Sequence, residues 1–270
     1  MSKNEAGGES DPLRFGVGLR RKRFLQASAI AGTGFAVAGP VARAGLAANR
    51  PAAACGESVR EILATVLGAE RLAVTLYHAG LSEPAILRSR RIAGSSANPN
   101  AVADNGDRGH VASLQAALDQ EDKHARIWHG MGARTAHKRF YFPVATFDAL
   151  GYTTRHGTFL WVLDHLETTV IAMYLAAAAR FDALGRDDLA LLALRILGVE
   201  SEHRALYRLI AGDEPADNVT VEVSSFACVE DVATALRPFL TGQGFAGGGT
   251  ARAFPSREQI GRAVGRYTSR

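Results

Sequence analysis

Two Glu-x-x-His tetrads, Glu121–His124 and Glu200–His203, and two isolated glutamates, Glu70 and Glu167, lie within apolar stretches of this 270-residue chain. A carboxylate and an imidazole three residues apart share one face of a helix, so each tetrad can present two donors in the same direction. Four carboxylates turned toward a protein interior would carry a prohibitive desolvation cost if left alone. Two divalent cations would cancel their charge, with the two imidazoles completing the donor set. Oxygen and nitrogen donors without sulfur suit iron or manganese, and zinc also accepts them. The six residues are therefore candidate ligands for two metal ions, iron in the first instance with manganese as the alternative. A lone Glu-x-x-His is weak as a signal. Two of them, alternating along the chain with two lone glutamates, are a stronger one.

Such a set needs four helices, and the sequence supplies four. Apolar residues recur at three- and four-residue intervals over Ser58–Leu81, Val111–Trp128, Thr158–Phe181 and Asp187–Gly212. Ser58 with Glu61 three residues later forms a capping pattern, and Asp187-Asp188 suit a helix N-terminus. The inward stripes read Leu63, Val66, Glu70, Ala73, Tyr77; then Leu114, Leu118, Glu121, His124, Trp128. The third and fourth read Leu160, Leu163, Glu167, Val170, Tyr174 and Leu192, Ile196, Glu200, His203, Tyr207. Each stripe carries one glutamate and, seven residues on, an aromatic, which makes the chain a helical hairpin used twice. Tyr77, Trp128, Tyr174 and Tyr207 are expected to form a packing layer whose phenols could bond a ligand carboxylate. The repeat suggests two half-sites, Glu70 with Glu121/His124 and Glu167 with Glu200/His203. Asp164 and His165 flank Glu167 either as partners of a ligand or as a solvated pair. Glu202 falls off its stripe. His78, His110, His129, His137 and His156 belong to no constellation and read as surface or loop residues.

The third and fourth helices are joined tightly around Gly185, whereas Gly130 to about Gly157 can travel the length of a bundle. A long crossover between two hairpins predicts an all-α, ferritin-like four-helix bundle rather than a simple up-and-down one. The polar Ser95–Asn100 stretch reads as a surface excursion. Beyond Gly212, Val219, Val221 and Val223 alternate with polar residues and hint at an extended segment. Asp231–Leu240 can form one more helix, and Gly242–Gly249 reads as loop. The expected organisation is residues 1–44 as a signal peptide, 45–212 as the bundle and 213–270 as an extension packed on it.

The N-terminal expectation rests on three features. The basic cluster Arg20-Arg21-Lys22-Arg23 precedes a mildly apolar run, Phe24–Val41, and then Ala42-Arg43-Ala44. That is the layout of a secretory signal, and Arg21–Gln26 resembles an imperfect twin-arginine signal, the kind that exports folded proteins. An N-terminal membrane anchor is the competing reading. Residues 1–44 hold seven basic and three acidic residues, an excess equal to the +4 of the whole chain. The remainder is close to neutral, so the basic pI gives no support to nucleic-acid binding. No stretch after residue 45 is expected to span a membrane. Cys55 and Cys228 could pair in an exported protein, although their spacing says nothing about geometry.

With these residues in hand, the chain resembles the ferritin-like di-iron carboxylate superfamily, whose bundles take a Glu from two helices and Glu-x-x-His from the other two. Within it, the N-terminal signal and the Phe226–Leu240 tail look like exported bacterial ferritin-like domain proteins near the desiccation-related branch. The resemblance covers Ser58–Gly212 well and the tail loosely. It implies Glu70, Glu121, His124, Glu167, Glu200 and His203 as ligands of two iron ions. It also implies O₂, peroxide or Fe²⁺ as small-molecule partners. Ferroxidase, peroxide-reducing and manganese catalase-like activities all fit, and no Cys-x-x-Cys module supplies electrons. A non-catalytic stress or desiccation-related scaffold is the competing class. A closed iron-storage cage fits less well than a monomer or small homo-oligomer.

Overall fold

The computed structural model describes residues 52–93, 110–151, 156–213 and 216–265. The N-terminal signal pattern and the Ser95–Asn100 excursion lie outside these residues. Four long helices carry the expected stripes: α1 (Val59–Gly80), α4 (Val111–Gly130), α5 (Phe159–Ala183) and α6 (Asp187–Ala211). Two one-turn helices, α2 (Pro84–Leu87) and α3 (Arg90–Ala93), follow α1. The start of α1 obeys its sequence signal, since Ser58 and Glu61 each hold the other's backbone N–H. Gly212, in the left-handed region at φ 85°, ends α6.

α1 packs with α4 and α5 with α6 as two hairpins, and α1 meets α5 between them. That contact is close at Gly80, where a Cβ would collide with the Phe159 ring. α4 and α6 barely touch, so the bundle is loosest along their seam. All the stripe residues are buried except Leu192, whose place in the core is taken by Leu189 and Ala193 on the same helix. Among the described residues α5 is long and apolar enough, by length and composition alone, to cross a membrane. Its apolar surface is instead buried against the other helices, as the central helix of a bundle requires.

The crossover between α4 and α5 contains a strand the sequence did not suggest, β1 (Arg139–Pro143). It pairs antiparallel with β2 (Gly249–Ala253) from the far end of the chain, Arg139 opposite Ala253 and Pro143 opposite Gly249. Phe140 and Phe142 alternate to the buried face, where Phe142 meets Phe147 and Phe239. The expected tail helix is present as α7 (Val229–Thr241), packed on β1, α1 and α5. A further helix, α8 (Arg257–Val264), lies against α4.

The alternating valines form no strand. Val221 and Val223 are 72% and 76% exposed, whereas Glu222 and Ser224 are half-buried and turned to the bundle. Glu222 pairs with the buried Arg204 of α6, and the Ser224 hydroxyl donates to Ala172 O at 2.9 Å. The alternation is therefore inverted, because Arg204 in the bundle wall needs a carboxylate more than the core needs another valine. Cys55, just before α1, and Cys228, just before α7, are disulfide-bonded with both side chains buried. Arg180 reinforces this end by donating to the Glu57 and Ala52 carbonyls at 3.1–3.3 Å.

Candidate metal centre

The six residues meet at mid-bundle, one or two from each long helix. Glu70, Glu167 and Glu200 have no exposed surface and Glu121 1%, while His124 and His203 keep 6% and 3%. The imidazoles are therefore the members nearest water, and they stand on α4 and α6, two helices that pack only sparsely on each other. His203 Nδ1 lies 2.8 Å from Glu121 Oε1 and 3.1 Å from Glu200 Oε2. His124 Nδ1 lies 3.0 Å from Glu200 Oε1 and 3.7 Å from Glu70 Oε2.

Donor atoms gather in two overlapping groups, each with all its members within 4.8 Å of one another. One is Glu70, Glu121, His124 and Glu200; the other is Glu121, Glu167, Glu200 and His203. Each expected half-site stays together, and each gains the glutamate of the other tetrad. Glu121 and Glu200 belong to both groups, and each Glu-x-x-His contributes one shared carboxylate and one private imidazole.

A cation fits this arrangement. Glu70 Oε2 and Glu167 Oε2 are buried without a hydrogen-bond partner, and Glu121 Oε1, His124 Nδ1 and Glu200 Oε1 are buried against other members of the same cluster, with no polar partner from outside it. Buried polar atoms are rarely left so, and a cluster of five asks for a common partner. Two donors bound to one ion at about 2.0–2.2 Å can stand at most about 4.4 Å apart. Each group is therefore gathered to nearly the span of one ion's donor shell.

The titration behaviour shows what balances the charge when protons alone are present. Burial, then the charges of Glu121 and Glu200, push the Glu70 and Glu167 carboxyls well above the usual carboxylate range. Burial and Glu200 also raise Glu121. Glu200 is the exception: burial acts to raise it, but hydrogen bonds from His124 and His203 outweigh that and hold it well below. Burial opposes charge on His203, yet Glu121 and Glu200 lift it to about 10, and Glu200 lifts His124 in the same way. The upward shifts of Glu70, Glu167 and both imidazoles all favour proton uptake, which offsets the buried negative charge as bound cations would.

Around the donors, the aromatic layer does more than pack. The Tyr174 hydroxyl donates to Glu70 Oε1 and accepts from Trp128 Nε1 at 2.8 Å. On the opposite side Tyr77 donates to Glu167 Oε1 at 3.5 Å, with the Tyr207 ring 5.8 Å from that of Tyr77. Each lone glutamate is thus held by the tyrosine of the other lone-glutamate helix, a two-fold relation implied by the repeat. Gln120, which the sequence reading passed over, lies with Oε1 2.9 Å from His203 Nε2. Its position beside Glu121 was the available signal. Asp164 and His165 do not reach the centre: Asp164 pairs with Arg208 at 3.1 Å, and His165 stacks on Trp161. Glu202 is exposed, as are His129 and His156, while His78, His110 and His137 are half-buried.

A family model described as ferritin-like domain matches residues 58–213, which span all four long helices and all six donors. Among curated proteins and among solved structures, no match to the chain is found.

Proposed function

The chain belongs to the ferritin-like domain family, and on that premise we propose that it is an exported two-metal carboxylate protein. In this reading it holds two iron ions and handles iron, oxygen or peroxide in redox chemistry or stress defence. The observation that carries the proposal is the convergence of buried carboxylate and imidazole donor atoms from all four helices on one another. Glu70 and His124 would hold one ion, Glu167 and His203 the other, with Glu121 and Glu200 common to both. Bound iron would supply electrons to an oxidant or accept them from a reductant.

The residues of the chain set the conditions for that chemistry. Tyr174, itself anchored by Trp128, fixes one oxygen of Glu70 and leaves the other directed at the centre. Tyr77 holds Glu167 more loosely, so that carboxylate has more freedom to change orientation. The apolar stripes exclude bulk water and strengthen every charge interaction inside. The small exposure at His124 and His203 suits partners the size of O₂, peroxide or a cation, approaching along the α4–α6 seam.

Export is supported by the twin-arginine-like N-terminal pattern and by the Cys55–Cys228 bond, a feature of oxidising compartments. That pattern and the tail over Phe226–Leu240 support an affinity with the exported, desiccation-related members of the family. α7 and α8 cover part of the bundle surface, which supports a monomer or small homo-oligomer; size-exclusion chromatography tests this. The activity is tested by following O₂ and peroxide consumption with Fe²⁺-loaded protein. Turnover of either oxidant above the free-iron rate is expected. Tight metal binding without turnover would overturn the redox role and leave the non-catalytic stress-related reading.

A further inference from the structure

We infer that Gln120 is the positioning residue of His203, and that it makes the two metal positions of the proposed centre unequal. The inference rests on the two-metal reading above. His203 Nδ1 faces Glu121 and Glu200 at 2.8 and 3.1 Å, so only Nε2 is left to hold the ring from outside. Gln120 Oε1 meets it at 2.9 Å, reaching from α4 to α6 across the seam where those helices barely touch. An amide oxygen can only accept, so this contact keeps a proton on Nε2 and leaves the Nδ1 lone pair for a cation. The opposite amide orientation would drive the proton onto Nδ1, into the ligand position.

The repeat shows why the other histidine has no such support. Gln120 immediately precedes Glu121 on α4, and the residue in the same place on α6, immediately before Glu200, is Val199. Valine has no hydrogen-bonding side chain. Among the described residues, none bonds the outer nitrogen of His124, and His124 is the more exposed of the two histidines. One imidazole is therefore held through both nitrogens, and the other only through Nδ1, by Glu200 at 3.0 Å. The position built on Glu167 and His203 gains from this in affinity. The position built on Glu70 and His124 does not.

The test measures Mn²⁺ binding to the full chain by chelator competition, with melting of the metal-free proteins alongside. Wild type is expected to bind two ions. Gln120→Leu, which keeps the size and loses the acceptor, should bind one of them about 10- to 100-fold more weakly, the usual effect of losing such a partner. Gln120→Glu restores the acceptor and should restore affinity. Val199→Gln supplies the missing partner to His124 and should tighten the weaker ion. In zinc-loaded wild type with ¹⁵N-labelled histidine, His203 should carry its proton on Nε2. This last readout stands even if a variant fails to fold. Two ions bound by Gln120→Leu as tightly as by wild type, or a His203 proton on Nδ1, would overturn the inference and leave the metal centre intact. Wild type that binds no metal would instead overturn the proposed function itself.

Discussion

Tyr174→Phe removes one oxygen atom from the bundle core and disconnects a three-member chain. Trp128 Nε1 loses its acceptor and Glu70 Oε1 its donor, and both side chains are fully buried, so no water replaces what is lost. A hydrogen bond contributes about 1 kcal/mol net, and a stranded buried donor costs about 1–3 kcal/mol. The variant should therefore lose about 2–4 kcal/mol in the metal-free state. For a chain of this size that is a fall in Tm of about 5–15 °C. Calorimetry or scanning fluorimetry on metal-free protein reads it directly. The sharper assay is a double-mutant cycle with Trp128→Phe. Once the indole N–H is gone, Tyr174→Phe no longer strands it, so the double variant should be more stable than the sum of the singles by about 1 kcal/mol or more. Strict additivity, or a Tyr174→Phe protein that melts with wild type, would refute the chain of bonds.

The Cys55–Cys228 bond closes 173 residues, for which loop-closure entropy gives about 5 kcal/mol. Cys55→Ala/Cys228→Ala should accordingly melt about 10–20 °C below wild type; an unchanged Tm would show that the bond constrains nothing. Glu222→Ala leaves the buried Arg204 without its carboxylate. It should release the segment around Val221 and Val223 as a faster limited-proteolysis site, and cleavage at the wild-type rate would contradict the inverted alternation. In the metal-free protein, rising pH should be destabilising. His203 is raised from 6.5 to about 10, so the stability from its charged contacts is complete below pH 6.5 and is lost on approaching about 10. Glu70 and Glu167, raised above 4.5, add loss in the same direction as they are forced to ionise. Tm should fall from pH 6.5 to 10 without metal and stay flatter with manganese bound; a rise over that range would contradict these shifts.

The bundle was legible because its helices follow local rules: the Ser58–Glu61 cap, the 3.6-residue stripes and the long crossover each left a mark in sequence. The six donors were legible for a related reason, since a glutamate inside an apolar stripe conflicts with burial unless something compensates it. Sharing was not legible. Which carboxylate lies between two ions depends on how far the tetrads splay from the bundle axis, and spacing along one helix carries no such information. β1 and β2 were missed because their partners are more than a hundred residues apart and Phe140 and Phe142 give too short an alternation. Val219, Val221 and Val223 misled because an alternating pattern does not say which set faces inward. Arg204 decided that. The Cys55–Cys228 bond depends on α7 folding back onto the start of α1, a tertiary fact that only the structure supplies.

The central claim is that Glu70, Glu121, His124, Glu167, Glu200 and His203 hold two metal ions in common. Elemental analysis of the purified protein beside Glu121→Ala/His124→Ala tests it most directly. About two metal ions per chain are predicted for wild type, as expected for this bundle class. Because Glu121 belongs to both donor groups, the variant should lose both ions and not one. A folded, helical wild type that stays metal-free after iron and manganese loading would contradict the account. A variant that retains one ion at wild-type affinity would contradict the sharing.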